Sequence, residues 1–209
     1  MHAIITDGSI SKYINHPKSL VIGDVRYPAR IFSVWTASEL AAIGIIEVTF
    51  DDSKKKDEQW YINTNQTYTY DADAGTVTAT YGDATPKAHA DTLWTQQDSD
   101  DGNLPDDKEV GDVKVEGLKT QLIRTIKQQA SGLLAPTDWY VVKASEVSDY
   151  SVPTNIATYR ASVRTKSNEM ETLITNASDT PALETLYTYT EQEDGTVTRP
   201  LGELPILEA

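Results

Sequence analysis

Residues 133–140 of this 209-residue chain read Leu-Leu-Ala-Pro-Thr-Asp-Trp-Tyr, and this stretch decides how the second half folds. Upstream, between residues 113 and 133, apolar residues recur mainly at steps of three and four, which places them on one face of a helix. Pro136 interrupts that helix, because its ring and missing N–H disrupt helical hydrogen bonding. Thr137 and Asp138 are good N-cap residues, so the sequence predicts a second, short helix from here to Glu146.

A third helix is predicted farther along the chain, where apolar residues again have helical spacing. Thr180-Pro181 is expected to end this helical unit. Residues 113–180 therefore form a predicted helical domain of about three helices. The remaining segment, residues 181–209, is predicted to contain a short β-hairpin, with strands at 183–190 and 196–198, followed by an extended C-terminal tail.

The first 86 residues predict a small α+β domain dominated by antiparallel strands. Gly23-Asp24 has the chemistry of a two-residue hairpin turn between two short strands. Thr36 and Glu39 fit a capping box at the start of one helix, in which each side chain bonds the other residue's backbone amide. Gly44 is placed to end that helix in the left-handed conformation. The strands are predicted at residues 20–22, 25–27, 45–50, 60–63, 67–70 and 76–81.

The segment between these domains, residues 87–112, is predicted to be an acidic linker. Residues 96–112 contain seven acidic residues and one lysine, with Leu104 and Val110 as their apolar residues. Such a segment buries too little apolar area to offset the entropy lost on ordering. It also carries much of the net charge of −14, which comes from 18 basic and 32 acidic residues. That charge argues against a nucleic-acid binder, which needs a basic surface.

The sequence contains no recognisable constellation of catalytic or metal-binding residues. There is no cysteine, and His2, His16 and His89 lack the spacing of a metal site. Residues 97–108 fail the calcium-loop pattern at three ligand positions. The nucleophile-elbow and phosphate-loop motifs do not occur. We therefore expect a non-enzymatic protein without catalytic residues, metal or cofactor, although a hydrolase with an unrecognised Ser or Asp arrangement stays open.

Two short motifs in the helical domain resemble those of the phage tail assembly chaperones, also called tail-fibre assembly proteins of tailed bacteriophages. The first is Leu-Leu-x-x-(Ser/Thr)-Asp-Trp, present here as residues 133–139. The second is Tyr-Arg-x-x-x-Arg, present as residues 159–164. Residues 25–29 and 39–45 are similar to the small leading domain often fused to this family. The chain after Pro181 departs from the short ending typical of it.

The resemblance implies a non-enzymatic chaperone that binds a tail-fibre protein and assists its folding, trimerisation or attachment. Its partner would be a tail-fibre or baseplate protein, and it would act in the host cytoplasm during assembly, with neither nucleic acid nor membrane involved. A homo-oligomer that matches the fibre's symmetry is one expected state. The motif residues assigned to the candidate site in this way are Leu133, Leu134, Asp138, Trp139, Tyr159, Arg160 and Arg164.

The motif residues also predict a local packing arrangement. The two leucines are expected to close the first helix against the core, and the tryptophan to fill the gap between helices beside Tyr159. Asp138 is expected to cap the second helix, and Arg160 or Arg164 to reach it as a charge-assisted pair. These roles leave open whether the motif only builds the fold or also touches a partner.

The main alternative is a virion structural component, a baseplate or fibre adaptor or tip protein retained in the mature tail. The acidic linker would then let two small domains hold separate partners. The 11 Tyr and 4 Trp, against 2 Phe, suit half-exposed surfaces and interfaces. No apolar stretch approaches the roughly 20 residues of a membrane span, and the N-terminus lacks signal-peptide regions, so a cytoplasmic soluble protein is expected.

Overall fold

A computed structural model describes residues 1–64 and 66–207 of the chain. The chain divides into two compact units, Met1–Thr85 and Pro86–Ala209. The first is a β-sheet with short helices, and the second is mostly helical with small hairpins. The fold class is therefore mixed α+β, as the sequence predicts.

Short strands and short helices make up the first unit. In chain order they are β1 (His2–Thr6), β2 (Ser9–Ile14), β3 (Leu20–Ile22), β4 (Val25–Tyr27), α1 (Ile31–Val34), α2 (Ala37–Ala42), β5 (Ile45–Asp51), β6 (Tyr61–Ile62), β7 (Thr67–Asp71), β8 (Thr76–Thr80) and β9 (Thr85–Pro86). One sheet has the order β2-β1-β5-β8-β7, in which β5 and β8 are parallel and the other neighbours are antiparallel. β3 and β4 form a separate antiparallel hairpin.

Apolar side chains from β5 contribute to two buried clusters, because successive residues of a strand point to opposite faces. One cluster is formed by strand residues alone and consists of Ala3, Val48, Val77 and Ala79. The other joins the short helices to the sheet and consists of Ile31, Leu40 and Ile45. The sheet is therefore anchored on both faces.

The predicted signals at both ends of α2 are confirmed. The Thr36 hydroxyl accepts a hydrogen bond from the Glu39 amide at 3.3 Å, and the Glu39 carboxylate accepts one from the Thr36 amide at 2.7 Å. Gly44 follows the helix with a φ of +77°. A Cβ at Gly44 would lie 2.7 Å from the carbonyl oxygen of Ile5, so this position requires glycine for two separate reasons.

Helices dominate the second unit. Its elements are β10 (Thr92–Leu93), α3 (Gln96–Asp100), β11 (Val113–Val115), α4 (Leu118–Leu134), a 3-10 turn (Ala135–Thr137), α5 (Asp138–Glu146), α6 (Thr154–Asn176), α7 (Thr180–Tyr187), β12 (Thr190–Glu191) and β13 (Val197–Thr198). The core of this unit forms where α4 packs against α6. α4 buries Ile126 and Ala130 there, and α6 buries Val163, Met170 and Ile174.

Residues 87–112, predicted as a linker, are instead part of the second unit. They contain β10 and α3, and β10 pairs with β11. The carbonyls of Ala88 and His89 accept hydrogen bonds from the amides of Leu118 and Lys119, which begin α4. The segment also lies close against α4, because a Cβ at Gly117 would overlap the carbonyl of Ala90. The predicted linker is thus wrong, and α4 begins at Leu118 rather than near Val113.

Acidic side chains help to order this segment because they accept hydrogen bonds from it. Asp91 accepts one from the Gly117 amide at 2.7 Å and one from the Thr120 hydroxyl at 2.8 Å, at the first turn of α4. The small apolar area of the segment does not reveal these hydrogen bonds of its acidic side chains. The acidity that predicted disorder is therefore in part a set of helix caps.

The pKa of the Asp98 carboxyl tests whether residues 87–112 adopt this ordered conformation. It accepts a hydrogen bond from the Lys114 ammonium at 2.5 Å and two from the amide and hydroxyl of Thr95. These donors, Lys114 first, lower the pKa of Asp98 from 3.8 to about 2. Because the folded-state pKa is depressed, the ionised carboxyl stabilises the fold above pH 3.8, and this contribution is lost as the pH falls through about 2. Carboxyl carbon shifts measured by NMR should therefore show Asp98 titrating near 2. A value near 3.8 would contradict the contact with Lys114.

The predicted strand at 183–190 is wrong over most of its length, because the chain is helical from Thr180 to Tyr187. The Asp179 side chain caps α7 by accepting a hydrogen bond from the Ala182 amide at 2.8 Å. Pro181 lies in the first turn of this helix, where its missing N–H costs nothing. Thr180-Pro181 therefore begins a helix instead of ending the helical domain.

The predicted hairpin and C-terminal segment do follow α7, but the hairpin is shorter and the C-terminal segment is packed. β12 and β13 pair with Thr190 opposite Thr198. Beyond them, Leu201 is fully buried, and its amide donates to the Leu186 carbonyl at 3.0 Å. Leu204 packs on the cluster around Val163. The C-terminal segment thus packs against the helices of its own unit.

Candidate functional site

The corner between α4 and α5 is held by one buried arginine from α6. Arg160 is 6% exposed. Its Nη1 donates to the Leu134 carbonyl at 2.9 Å and to the Thr137 hydroxyl at 2.6 Å. Its Nη2 donates to Asp138 Oδ1 at 2.7 Å. We call this set of contacts the Arg160 clasp. It confirms the predicted pair between Arg160 and Asp138.

The Arg160 clasp lies where α4 ends, because the last carbonyls of a helix require hydrogen-bond donors from outside it. The last carbonyls of α4 have no partner within the helix, and Pro136 prevents the chain from continuing to supply N–H donors. Arg160 and the Tyr159 hydroxyl satisfy two of them: Tyr159 donates to the Leu133 carbonyl at 3.2 Å. A cation at this end also interacts favourably with the helix dipole. The Tyr-Arg pair therefore acts as a C-terminal cap supplied by another helix.

The two leucines of the motif have the predicted role. Leu133 and Leu134 are partly buried, and they pack against the cluster of Ala130, Tyr159 and Val163. Leu204 from the C-terminal segment covers the same cluster. This part of the motif is thus core.

The predicted capping role of Asp138 is not observed. Asp138 makes no capping bond, and Thr137, which occupies the N-cap position of α5, donates its hydroxyl to the Leu134 carbonyl at 2.8 Å instead. Arg164 is exposed and reaches the Arg160 carbonyl at 3.4 Å, not Asp138. The clasp occupies both side chains that the sequence suggested as caps, because a buried guanidinium needs several acceptors.

Trp139 does not fill the gap between the helices. Its side chain is 52% exposed, and its ring lies 3.8 Å from that of Tyr140. The Lys143 ammonium lies 5.9 Å from the Trp139 ring and 4.3 Å from the Tyr150 ring. Trp139, directly after the 3-10 turn, thus lies in solvent. Leu133, Leu134, Tyr159 and Arg160 instead pack or form hydrogen bonds within the unit.

The helix that carries Trp139 leaves its apolar side chains in solvent. None of its residues is buried. Large apolar side chains are exposed on α5 and directly after it: Trp139, Val141, Val142 and Val147. We call these four residues the α5 surface. Trp139 and Val142 are three residues apart and are therefore neighbours on the helix surface. Exposed apolar residues grouped in this way mark interaction sites more often than isolated ones.

The sequence contained a signal for the α5 surface that motif reasoning missed. Residues 139–142 read Trp-Tyr-Val-Val, an apolar run without the one-sided spacing of a helix that packs on a core. A nine-residue helix with this pattern cannot bury all four side chains on one face. Val142 and Val147 therefore join Trp139 as candidate contact residues.

The described residues include no group of three or more His, Asp or Glu side chains that could hold a metal ion. In the same part of the chain, no helix is both long and apolar enough to cross a membrane. Comparisons with protein-family models, with curated proteins and with solved structures found no match to this chain.

Proposed function

We propose that this protein is a non-enzymatic tail-fibre assembly chaperone of a tailed bacteriophage, which binds the fibre protein and assists its folding, trimerisation or attachment. The motif resemblance suggests the class. The observation that carries the proposal is the α5 surface, on which Trp139 is 52% exposed. A chaperone that acts by binding needs such an apolar surface to cover apolar side chains of an unfinished client.

The Arg160 clasp supports this function by fixing the corner that presents α5. Arg160 joins the end of α4, the 3-10 turn and the first residue of α5 through three hydrogen bonds. A contact residue on a fixed element binds at a smaller entropic cost than one on a mobile loop. The buried and exposed halves of the motif would therefore have separate roles, support and contact.

Replacing Trp139 with alanine tests the contact role. We expect Trp139→Ala to weaken binding of the co-expressed fibre protein by at least about tenfold, because exposed tryptophans at interfaces are frequent hot spots. Binding is measured by co-purification and titration with the purified fibre protein. Stability should change little, since the side chain is half in solvent.

Phe50→Ala provides a matched control, because Phe50 is a similarly exposed aromatic, at 49%, in the first unit. This variant should bind the fibre protein normally. If the wild-type chain leaves fibre solubility unchanged and does not co-purify with the fibre, the proposal fails. Mass spectrometry of purified particles then separates a departing chaperone from a retained tail component, which would be present in stoichiometric amounts.

A further inference from the structure

A groove in the first unit lies between the five-stranded sheet and the β3–β4 hairpin. Its volume is about 390 Å³, which is within the usual range of ligand pockets. Its apolar and cationic lining consists mainly of Ile4, Lys12, Ile14, Lys18, Val21 and Arg26. We call this feature the basic groove.

Two cross-strand pairs place apolar and cationic side chains side by side in the groove. Ile4 on β1 is directly opposite Lys12 on β2, and Val21 on β3 is directly opposite Arg26 on β4. Opposed residues of antiparallel strands have their side chains on the same face. Each wall of the groove therefore carries an apolar side chain beside a cation, and the buried Ile14 contributes to the floor.

The cations of the groove have no internal partner. Within the described residues, the side chains of Lys12, Lys18 and Arg26 make neither an ion pair nor a hydrogen bond. Of the four other basic residues of this unit, two are engaged: Lys55 pairs with Glu58 at 3.1 Å, and the Lys56 ammonium lies 4.4 Å from the Tyr61 ring. Three unpaired cations that converge on one groove are therefore free to meet an anionic ligand.

We propose that the basic groove binds an acidic linear peptide segment of a protein partner, one that carries both carboxylates and an apolar side chain. Carboxylates would meet the cations, while the apolar side chain would lie on Ile4, Ile14 and Val21. A nucleic-acid strand fits less well, because its run of phosphates would extend beyond the three cations over a unit with seven basic and eleven acidic residues. A short peptide need place its carboxylates only in the groove, and it also supplies the apolar side chain. This inference concerns a different unit from the α5 surface and does not depend on the proposed function.

The test uses the full-length chain and a fluorescent synthetic peptide of repeated Glu-Leu-Glu. Binding is followed by fluorescence polarisation. Arg26→Glu should weaken binding by about tenfold, because it replaces an attraction by a repulsion next to the carboxylates. Lys54→Glu is the matched control, since it makes the same charge change in an exposed turn of the same unit. It should weaken binding by no more than about twofold.

The peptide itself is varied to test both halves of the recognition. Replacing Glu by Gln, or Leu by Ser, should each weaken binding by about tenfold. Equal losses in the Arg26→Glu and Lys54→Glu variants would overturn the proposal, because they would show attraction to overall charge only. Unchanged binding of the Gln peptide, or full competition by inorganic phosphate, would also overturn it, the latter by indicating a small-anion site.

Both substituted residues are exposed, so the variants should fold, and circular dichroism checks this directly. Backbone amide shifts of the isotope-labelled chain then locate the bound peptide. Shifts centred on Lys12, Val21 and Arg26 would support the groove. Shifts confined to residues 139–147 would contradict it and would assign the peptide to the α5 surface.

Discussion

Replacing Arg160 with alanine should lower the free energy of unfolding of the second unit by about 3 kcal/mol. The substitution removes three hydrogen bonds. The buried Thr137 hydroxyl loses its donor, and the Leu134 carbonyl keeps only the Thr137 hydroxyl as a donor. Because buried polar groups that lose a donor regain no hydration in exchange, this loss is larger than that of a surface ion pair. Urea unfolding followed by far-ultraviolet circular dichroism measures the effect.

Arg164→Ala is the matched control for this experiment, because Arg164 lies one turn later on the same helix and is exposed. It should change the free energy of unfolding by no more than about 0.5 kcal/mol. Arg160→Lys should recover only part of the loss, since an ammonium cannot reach all three acceptors in the geometry of a guanidinium. Equal losses in the free energy of unfolding of Arg160→Ala and Arg164→Ala would show that the clasp stabilises the unit no more than an exposed arginine does.

The second large effect is expected at the C-terminal segment. Leu201→Ala should lower the free energy of unfolding of the second unit by about 3 kcal/mol, because Leu201 is fully buried and its truncation leaves a cavity. The same segment places Leu204 on the cluster that supports Tyr159. Loss of this packing should therefore also loosen the corner beneath α5.

Ile206→Ala controls for the segment as a whole, since Ile206 is 77% exposed. It should change stability by no more than about 0.5 kcal/mol. The same urea unfolding experiment compares the two variants. If Leu201→Ala is as mild as Ile206→Ala, the C-terminal segment is a loosely attached tail, as the sequence alone suggested.

The parts of the fold that sequence patterns predicted are those with strong local determinants. The capping box of Thr36 and Glu39, the left-handed Gly44 and the Gly23-Asp24 hairpin depend on residues within a few positions of one another. Helix α5 is also predictable in place and in its end at Glu146, although the side-chain cap expected at its start does not form. Such elements need little information from the rest of the chain.

Other elements were missed where the deciding contacts are distant or the signal was misread. The order of residues 87–112 depends on Asp91 meeting the start of α4, 26 residues away at Gly117. The strand prediction over α7 gave too much weight to β-forming residues and too little to the Asp179 cap with Pro181 behind it. The β1–β2 hairpin carried a usable signal, Asp7-Gly8, in which both residues have positive φ.

In the candidate site, too, some features are predictable from the sequence and others are not. The charge pairing of Arg160 with Asp138 was predictable from residue chemistry, and the leucines from helical spacing. The outward position of Trp139 was not, because it depends on how the 3-10 turn rotates the chain after Pro136. A motif read from sequence therefore combined support and surface residues, which only the three-dimensional arrangement separates.

We propose that α5, fixed by the Arg160 clasp, presents Trp139 and its neighbours to a fibre client. Hydrogen–deuterium exchange of the full-length chain, alone and in complex with the co-expressed fibre protein, tests it most directly. We expect slower exchange in residues 139–147 of the complex, and loss of that protection in Trp139→Ala. A stable complex in which exchange at residues 139–147 is unchanged, with protection elsewhere, would contradict it.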